Sequence, residues 1–552
     1  MVNFETFYKK FYKHPENRSE LQKSLKFERK YYKKIIKILS KCYNKRFSMN
    51  ESYSFWEKIL GQYIYYHITQ TINIFRSVQG KKKFNKTKIN HIEYTIPENL
   101  PDYRTLYQRS FKGQKWLYYI YFNQTDKFIL KKNKKFVKKP KTIKPIEEIK
   151  FNFSNYFTRF INIILRFLSN KEILASGIYW TEKEKISINY LLKGKFLNHN
   201  FFLEPKDVDI NFDLRNNLFF LNSNNKFDHF FFESLKYSAP KSLVENLRNN
   251  IEETVKFSNK HKKLKYFLNE NLSEANLFLN AILSKKKIKT IYLQHNFISH
   301  VFLSNQLDFI LDKFDKYFSL GWKDSKNTKI EKFGSLFKWQ TNKNLYPLNK
   351  KDYILFVPTI PLEIMHYTSG YLGECGKLFS KQYIETERVF FENLNNKNKN
   401  QIIYKQFPKN IFTFEDNTNW NIIKKNLKKN NIKYFDSEKL NVEEYFLNSK
   451  LIVVSYMATA YLQALYSNKP TVIFFNKESY FLKKKYTNYF DELFDAKILH
   501  NNASDAADFI NYLDGNILKW WSDKKTILLR KKFLTKNYQT KEFTYKKLSK
   551  LI

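Results

Sequence analysis

Four polar clusters stand at the ends of apolar runs, where the backbone fixes a side chain at the rim of a core. Gln294-His295-Asn296 closes the run that begins at Ile288. A histidine there can take a proton from a reacting hydroxyl or donate to developing phosphate charge. The competing reading is a hydrogen-bonded histidine of the core. The segment Thr368 to Lys377 gathers Gly370, Gly373 and Gly376, three of the chain's 11 glycines, ahead of a helical stretch. Glycines let backbone N–H groups approach a phosphate, a helix N-terminus favours the anion, and Lys377 adds charge. The spacing is neither a Walker A loop nor the dinucleotide fingerprint, and a plain surface turn is the alternative. Ser455, Thr459 and Gln463 recur every four residues after the run Leu451–Ser455, so they share one helix face. Ser455 suits an N-cap beside a phosphate, and Gln463 a ribose hydroxyl; an ordinary capped helix is the alternative. Lys405, in Tyr404-Lys-Gln-Phe-Pro408, can pair with a donor phosphate or a sugar carboxylate.

Other signals are weaker. Asp207-Val-Asp209 has the DxD form of a metal site, but Pro205-Lys206 precedes it in place of an apolar strand. No metal and no bound cofactor are expected. Cys42 and Cys375 form no CxxC or zinc spacing, which fits a reducing cytoplasm. Protease, hydrolase, kinase and nucleic-acid-binding signatures are missing from the sequence.

The elements that must position these residues are clearest in the second half. Apolar runs Tyr353–Pro358, Gln401–Lys405, Ile432–Phe435, Leu451–Ser455, Thr471–Phe475 and Ala496–Leu499 read as strands. Helical stretches Lys377–Leu394, Thr418–Lys429, Val442–Leu447, Ala458–Tyr466, Ser479–Phe494 and Ser504–Leu513 lie between and after them. Strand–helix alternation with nearly continuous apolar strands predicts a parallel sheet covered on both faces. In the first half, residues 1–80 read as helical, with Ile59–Phe75 an amphipathic buried helix. Residues 81–90 and 131–145 read as Lys-rich loops, and Phe157–Leu168 and Ala275–Ser284 as helices. Ile288–Gln294, Lys316–Leu320 and Ile330–Phe333 read as the last strands of a first Rossmann-like unit. The expected fold is α/β: a first unit over 1–340, a hinge at Phe337–Leu348, a second over 349–515, and two terminal helices over 516–552 that cross back.

Length and charge bound the class. A chain of 552 residues with 43% hydrophobic residues folds as two or three domains. Its formal net charge of +46 attracts polyanions such as anionic headgroups or phosphorylated substrates. The abundance of Lys, Asn, Ile, Phe and Tyr also fits the codon supply of an AT-rich genome.

At these residues the sequence resembles the transferases of bacterial lipopolysaccharide and surface-carbohydrate gene clusters, related to capsule polysaccharide and polyglycerophosphate transferases. Gln294-His295 is similar to that family's Gln-His-Gly-Gly motif, and Ser455–Pro470 to its donor helix. Thr471 through Trp520-Trp521 is similar to its C-terminal block, and Phe55-Trp-Glu-Lys-Ile-Leu-Gly61 to its Trp-x-x-Ile-Leu-Gly-Pro segment. Asn296 and Phe297 replace the family's glycines, and Gln463 its glutamate. The resemblance implies a metal-independent GT-B glycosyltransferase taking a nucleotide sugar, CMP-linked donors included, to a glycan or lipid-linked glycan acceptor. The implied setting is cytoplasmic, with peripheral contact to an anionic inner membrane and no specific nucleic acid. A polyol-phosphate transferase or sugar-nucleotide epimerase on the same fold is the alternative, and a nucleic-acid-binding protein, favoured by charge alone, the distant one.

Overall fold

The computed structural model describes residues 17–78, 92–104, 106, 111–122, 128–130, 171–204, 206–295, 300–303, 307–334, 352–359, 379–406, 418–436, 445–446, 448–457, 459–475, 480–539 and 541–551. The expected loops 81–90 and 131–145, the helix Phe157–Leu168 and the hinge Phe337–Leu348 lie outside them.

The N-terminal region is helical. Asn17 caps the helix Arg18–Phe47, its side chain accepting from the Glu20 N–H. Leu21, Tyr31, Tyr32, Ile35, Ile36, Leu39 and Tyr43 recur at helical spacing and are buried. The following helix, Tyr53–Val78, departs from the amphipathic expectation. It is buried on every face between the helices Arg18–Phe47, Phe111–Tyr121, Lys226–Ser238 and Glu274–Lys285. Its polar residues are therefore enclosed with it, Gln62 Nε2 donating to the Tyr66 hydroxyl at 3.0 Å. His67 is 0% exposed, 2.9 Å from the Tyr103 hydroxyl and 2.6 Å from the Ser234 hydroxyl. Burial pushes this histidine down to about 3. Among the described residues no helix is long and apolar enough to cross a membrane.

A short parallel ladder joins β1 (Ile92–Tyr94) to β2 (Phe128–Leu130). Two six-stranded sheets, parallel throughout, form the body. The first holds β3 (Ile173–Ser176), β4 (Phe196–Asn198), β5 (Tyr266–Asn269), β6 (Lys289–Leu293), β7 (Lys316–Ser319) and β8 (Ile330–Lys332). Its order is β4-β3-β5-β6-β7-β8. The second holds β9 (Ile354–Val357), β10 (Ile402–Gln406), β11 (Lys433–Asp436), β12 (Leu451–Val454), β13 (Thr471–Phe474) and β14 (Leu499–His500). Its order, β11-β10-β9-β12-β13-β14, is that of a Rossmann dinucleotide fold. The strand order reverses across β3/β5 and across β9/β12, the two switch points where open α/β sheets bind ligands.

The second sheet is apolar because both faces are covered. Leu355, Ile452, Val454 and Ile473 fill one core, while Ile354, Phe356, Val453, Val472 and Phe474 fill the other. The last expected strand begins later than expected, at Leu499, after Lys497 takes a left-handed backbone (φ 53°). The expected Ser479–Phe494 helix is a turn at Lys484–Tyr486 and a short helix Asp491–Asp495.

The two halves share backbone contacts. Val301–Leu303, following β6, pairs antiparallel with Phe481–Lys483, following β13: Leu303 N donates to Phe481 O and Lys483 N to Val301 O, each at 2.8 Å. Val301, Phe302 and Leu320 join the second sheet's core. The tail has three helices, Ile517–Trp521, Lys524–Asn537 and Lys541–Ser549. Between the last two, Tyr538 bridges Gly321 and Gln539 N donates to Leu320 O at 2.8 Å. The final helix places Leu548 in the first sheet's core beside Ile173 and Leu268. A Cβ at Gly321 would lie 2.5 Å from the Tyr538 backbone nitrogen, with no flexible side chain to give way. Gly321→Ala is therefore expected to cost about 2 kcal/mol in urea unfolding and to speed tryptic release of the last helix.

Candidate functional site

At the first switch point the chain leaves β3 through Ser176 and Gly177, whose φ of +65° suits glycine. A Cβ there would collide with the Asn271 side chain. This turn carries Tyr179 over the ends of β5 and β6. Its N–H donates to Glu270 Oε2 at 2.8 Å, and its ring centroid lies 4.4 Å from that of His295. Glu270, directly after β5, is 5% exposed in its side chain and holds its Oε1 3.4 Å from His295 Nδ1. His295 is 38% exposed. The carboxylate thus holds one ring nitrogen and orients the imidazole at the strand ends.

Gln294 turns away from this rim. It is 4% exposed, and its Oε1 accepts from Leu320 N at 3.1 Å and Trp322 Nε1 at 2.8 Å. It fixes the loop after β7. Asn296 lies outside the described residues. Asp207 and Asp209 are exposed on the connection after β4, and no group of three metal-ligating side chains occurs among the described residues.

At the second switch point a chain of hydroxyls joins the two strand ends. Thr359 N, after β9, donates to Tyr383 OH at 2.8 Å, and that hydroxyl lies 2.7 Å from Ser455 Oγ, after β12. Ser455 Oγ donates to Glu387 Oε1 at 3.3 Å, and Tyr404 OH to Glu387 Oε2 at 3.2 Å. Tyr383 and Glu387 stand one turn apart on the helix Phe379–Asn393, so both reach the crevice floor. Burial pushes the Glu387 carboxyl up to about 8, and the hydrogen bonds from Tyr383, Tyr404 and Ser455 only partly oppose it. Ser455, expected to offer its hydroxyl to a phosphate, is 2% exposed and turns it inward to Tyr383 and Glu387.

Lys405, next to last in β10, is half-buried, and burial pushes its ammonium down to about 8. Thr459 opens the helix Thr459–Tyr466, on which Gln463 is half-buried. The loop with Gly370, Gly373, Gly376 and Lys377 falls outside the described residues. In the sequence it lies between β9 and the helix Phe379–Asn393. Glu270, Tyr179, Tyr383 and Glu387 escaped the sequence reading. For Glu270 there was a signal, a carboxylate directly after a short aromatic run. Glu387 lies mid-helix, where a glutamate ordinarily faces water.

Two Rossmann-like sheets, joined through the loops at their strand ends and carrying polar clusters at both switch points, define an α/β enzyme of GT-B architecture. The chain belongs to the LIC12162 family of transferases, whose family model matches residues 3–552. No curated protein matches it. Among solved structures it is similar to the S. aureus MnaA-UDP co-structure, at 13% identity, covering 68% of this chain and 94% of that one, TM-score 0.36. It is also similar to a glycosyltransferase from Rickettsia africae ESF-5, at 11% identity, covering 69% and 98%, TM-score 0.37. A third is the UDP-GlcNAc 2-epimerase from Methanocaldococcus jannaschii, at 12% identity, covering 68% and 97%, TM-score 0.36. Likeness at that level carries no argument, and the fold rests on the strand orders of the chain itself.

Proposed function

We propose that this transferase moves a sugar from a nucleotide-activated donor to a bacterial surface glycan, free or lipid-linked, on the cytoplasmic side of the membrane. The observation that carries the reading is the pair at the first switch point, a partly exposed His295 held by the buried Glu270 carboxylate. The acceptor hydroxyl oxygen attacks the donor's anomeric carbon and its proton passes to His295. The bond from that carbon to the phosphate oxygen breaks, and the nucleotide leaves with the electron pair. Glycine-loop amides around Gly370, Gly373 and Gly376, with Lys377 and Lys405, neutralise the leaving phosphate without a metal. Thr459 and Gln463 hold the nucleotide, and Ser455 acts through Tyr383 and Glu387 by fixing the crevice floor.

A thermal-shift series with CMP-, UDP-, GDP- and dTDP-activated sugars tests this. One donor class at a hundredfold excess over its Kd stabilises by about 2.7 kcal/mol, a rise of about 2 °C for a chain of this size. Product analysis should then show a transferred sugar. An isomerised donor or a transferred phosphopolyol would replace this assignment with another, and no shift with any donor would remove it.

A further inference from the structure

The cations of this chain are not spread evenly over its surface. On the helix Arg18–Phe47, from Lys23 to Arg46, every exposed side chain except Phe27 is a lysine or an arginine. The only acid within that span, Glu28, is 1% exposed. The helix Ala503–Leu513 shows the reverse, exposing Asp505 and Asp508 and no cation. Arg29 pairs with Asp308 and Lys34 with Asp228, both acids of other elements. Lys26/Lys30 and Lys33/Lys37 are like charges one turn apart, which disfavours the helix. An outside anion relieves that repulsion.

The face is about 35 Å long, at about 1.5 Å per residue. Phe27 stands on it 47% exposed, a ring amid charge, as on helices that lie in a headgroup layer. Its N-terminal end meets the junction of the two halves: Leu21 packs with Leu303 and Phe481, the paired loops at the strand ends. We infer that the exposed face of the helix Arg18–Phe47 is a docking surface for a bilayer with anionic headgroups. Each lysine near such a surface adds attraction that falls off within a Debye length. The helix sets the junction between the sheets against the membrane, where a lipid-linked acceptor would arrive. That purpose rests on the proposed function; the docking itself does not.

Sedimentation of the full chain with vesicles tests the surface. The vesicles are phosphatidylglycerol with phosphatidylcholine, about 30:70, or phosphatidylcholine alone. At about 0.1 M salt, binding to the anionic vesicles should exceed binding to neutral ones by at least about 30-fold, and about 0.5 M salt should abolish it. The variant K26E/K30E/K33E/K37E should lose at least about 10-fold while keeping its melting temperature and donor response. K397E/K425E/K428E/K433E, an equal charge change on exposed lysines of the second half, should keep binding. Equal loss in both variants, or retention in the first, overturns the inference. So does tighter binding to a duplex DNA fragment than to the anionic vesicles. A chain that docks but shifts with no donor would fail the proposed function and keep this surface.

Discussion

His295→Ala is expected to lower turnover by about 10²- to 10⁴-fold, the ordinary worth of a positioned general base, with little change in melting temperature. The small stability effect follows from exposure: the His295 side chain is 38% exposed, with Glu270 3.4 Å away. Removing it leaves Glu270 still accepting from Tyr179 N at 2.8 Å. His67 would behave oppositely, because both its nitrogens are bonded inside a core. Glu270→Gln keeps an acceptor for Tyr179 but removes the charge behind the imidazole, so kcat should fall while donor KM stays level. Full turnover in His295→Ala with the established donor would take this residue out of the mechanism. A melting temperature lowered by many degrees would make it a structural histidine.

Glu387 carries the second large effect. In Glu387→Ala, the hydroxyls of Ser455 and Tyr404 lose their carboxyl partner within a core that admits little water. The expected cost is about 3 kcal/mol or more, from the cavity and the stranded hydroxyls together. Glu387→Gln stays neutral and hydrogen-bonded and should fold well. The two are separated by pH. The folded carboxyl is raised from 4.5 to about 8, so the folded chain holds a proton that the unfolded chain gives up. Its stabilising contribution is complete below about pH 4.5, declines as pH rises toward 8, and is level above that. The decline is on the order of 5 kcal/mol, at about 1.36 kcal/mol per pH unit over the shift from 4.5 to about 8. Urea midpoints of wild type and Glu387→Gln from pH 5 to pH 9 should therefore draw apart, with the variant gaining relative stability up to about pH 8. Parallel curves would mean that the carboxyl is ionised in the folded chain. Donor Kd belongs beside these midpoints, since loosening the tie between Thr359 and Ser455 should weaken donor binding more than kcat.

Legibility was uneven for physical reasons. The second sheet was readable nearly strand by strand, because Leu451–Val454 and Thr471–Phe474 are buried on both faces and must be apolar throughout. The first sheet was readable only from β6 onward. Ile173–Ser176 and Phe196–Asn198 are short and sit among Lys, Asn and Glu, too brief for periodicity to register. The helix Tyr53–Val78 was legible as a buried helix over Ile59–Phe75, but not that helices close over every side and leave Gln62, Gln70 and Asn73 inside as well.

By itself the sequence determined the six strands of the second half, and that His295, Lys405 and Ser455 stand at or beside strand ends. Burial periodicity is local, so a few residues suffice to reveal it. Only the tertiary structure decided what those side chains meet. Glu270 reaches His295 across 25 residues, and Glu387 reaches Ser455 across 68. Such partners are brought together by strand order and helix packing, which nearby residues do not encode. A buried polar group takes whichever partner that packing leaves within hydrogen-bond reach.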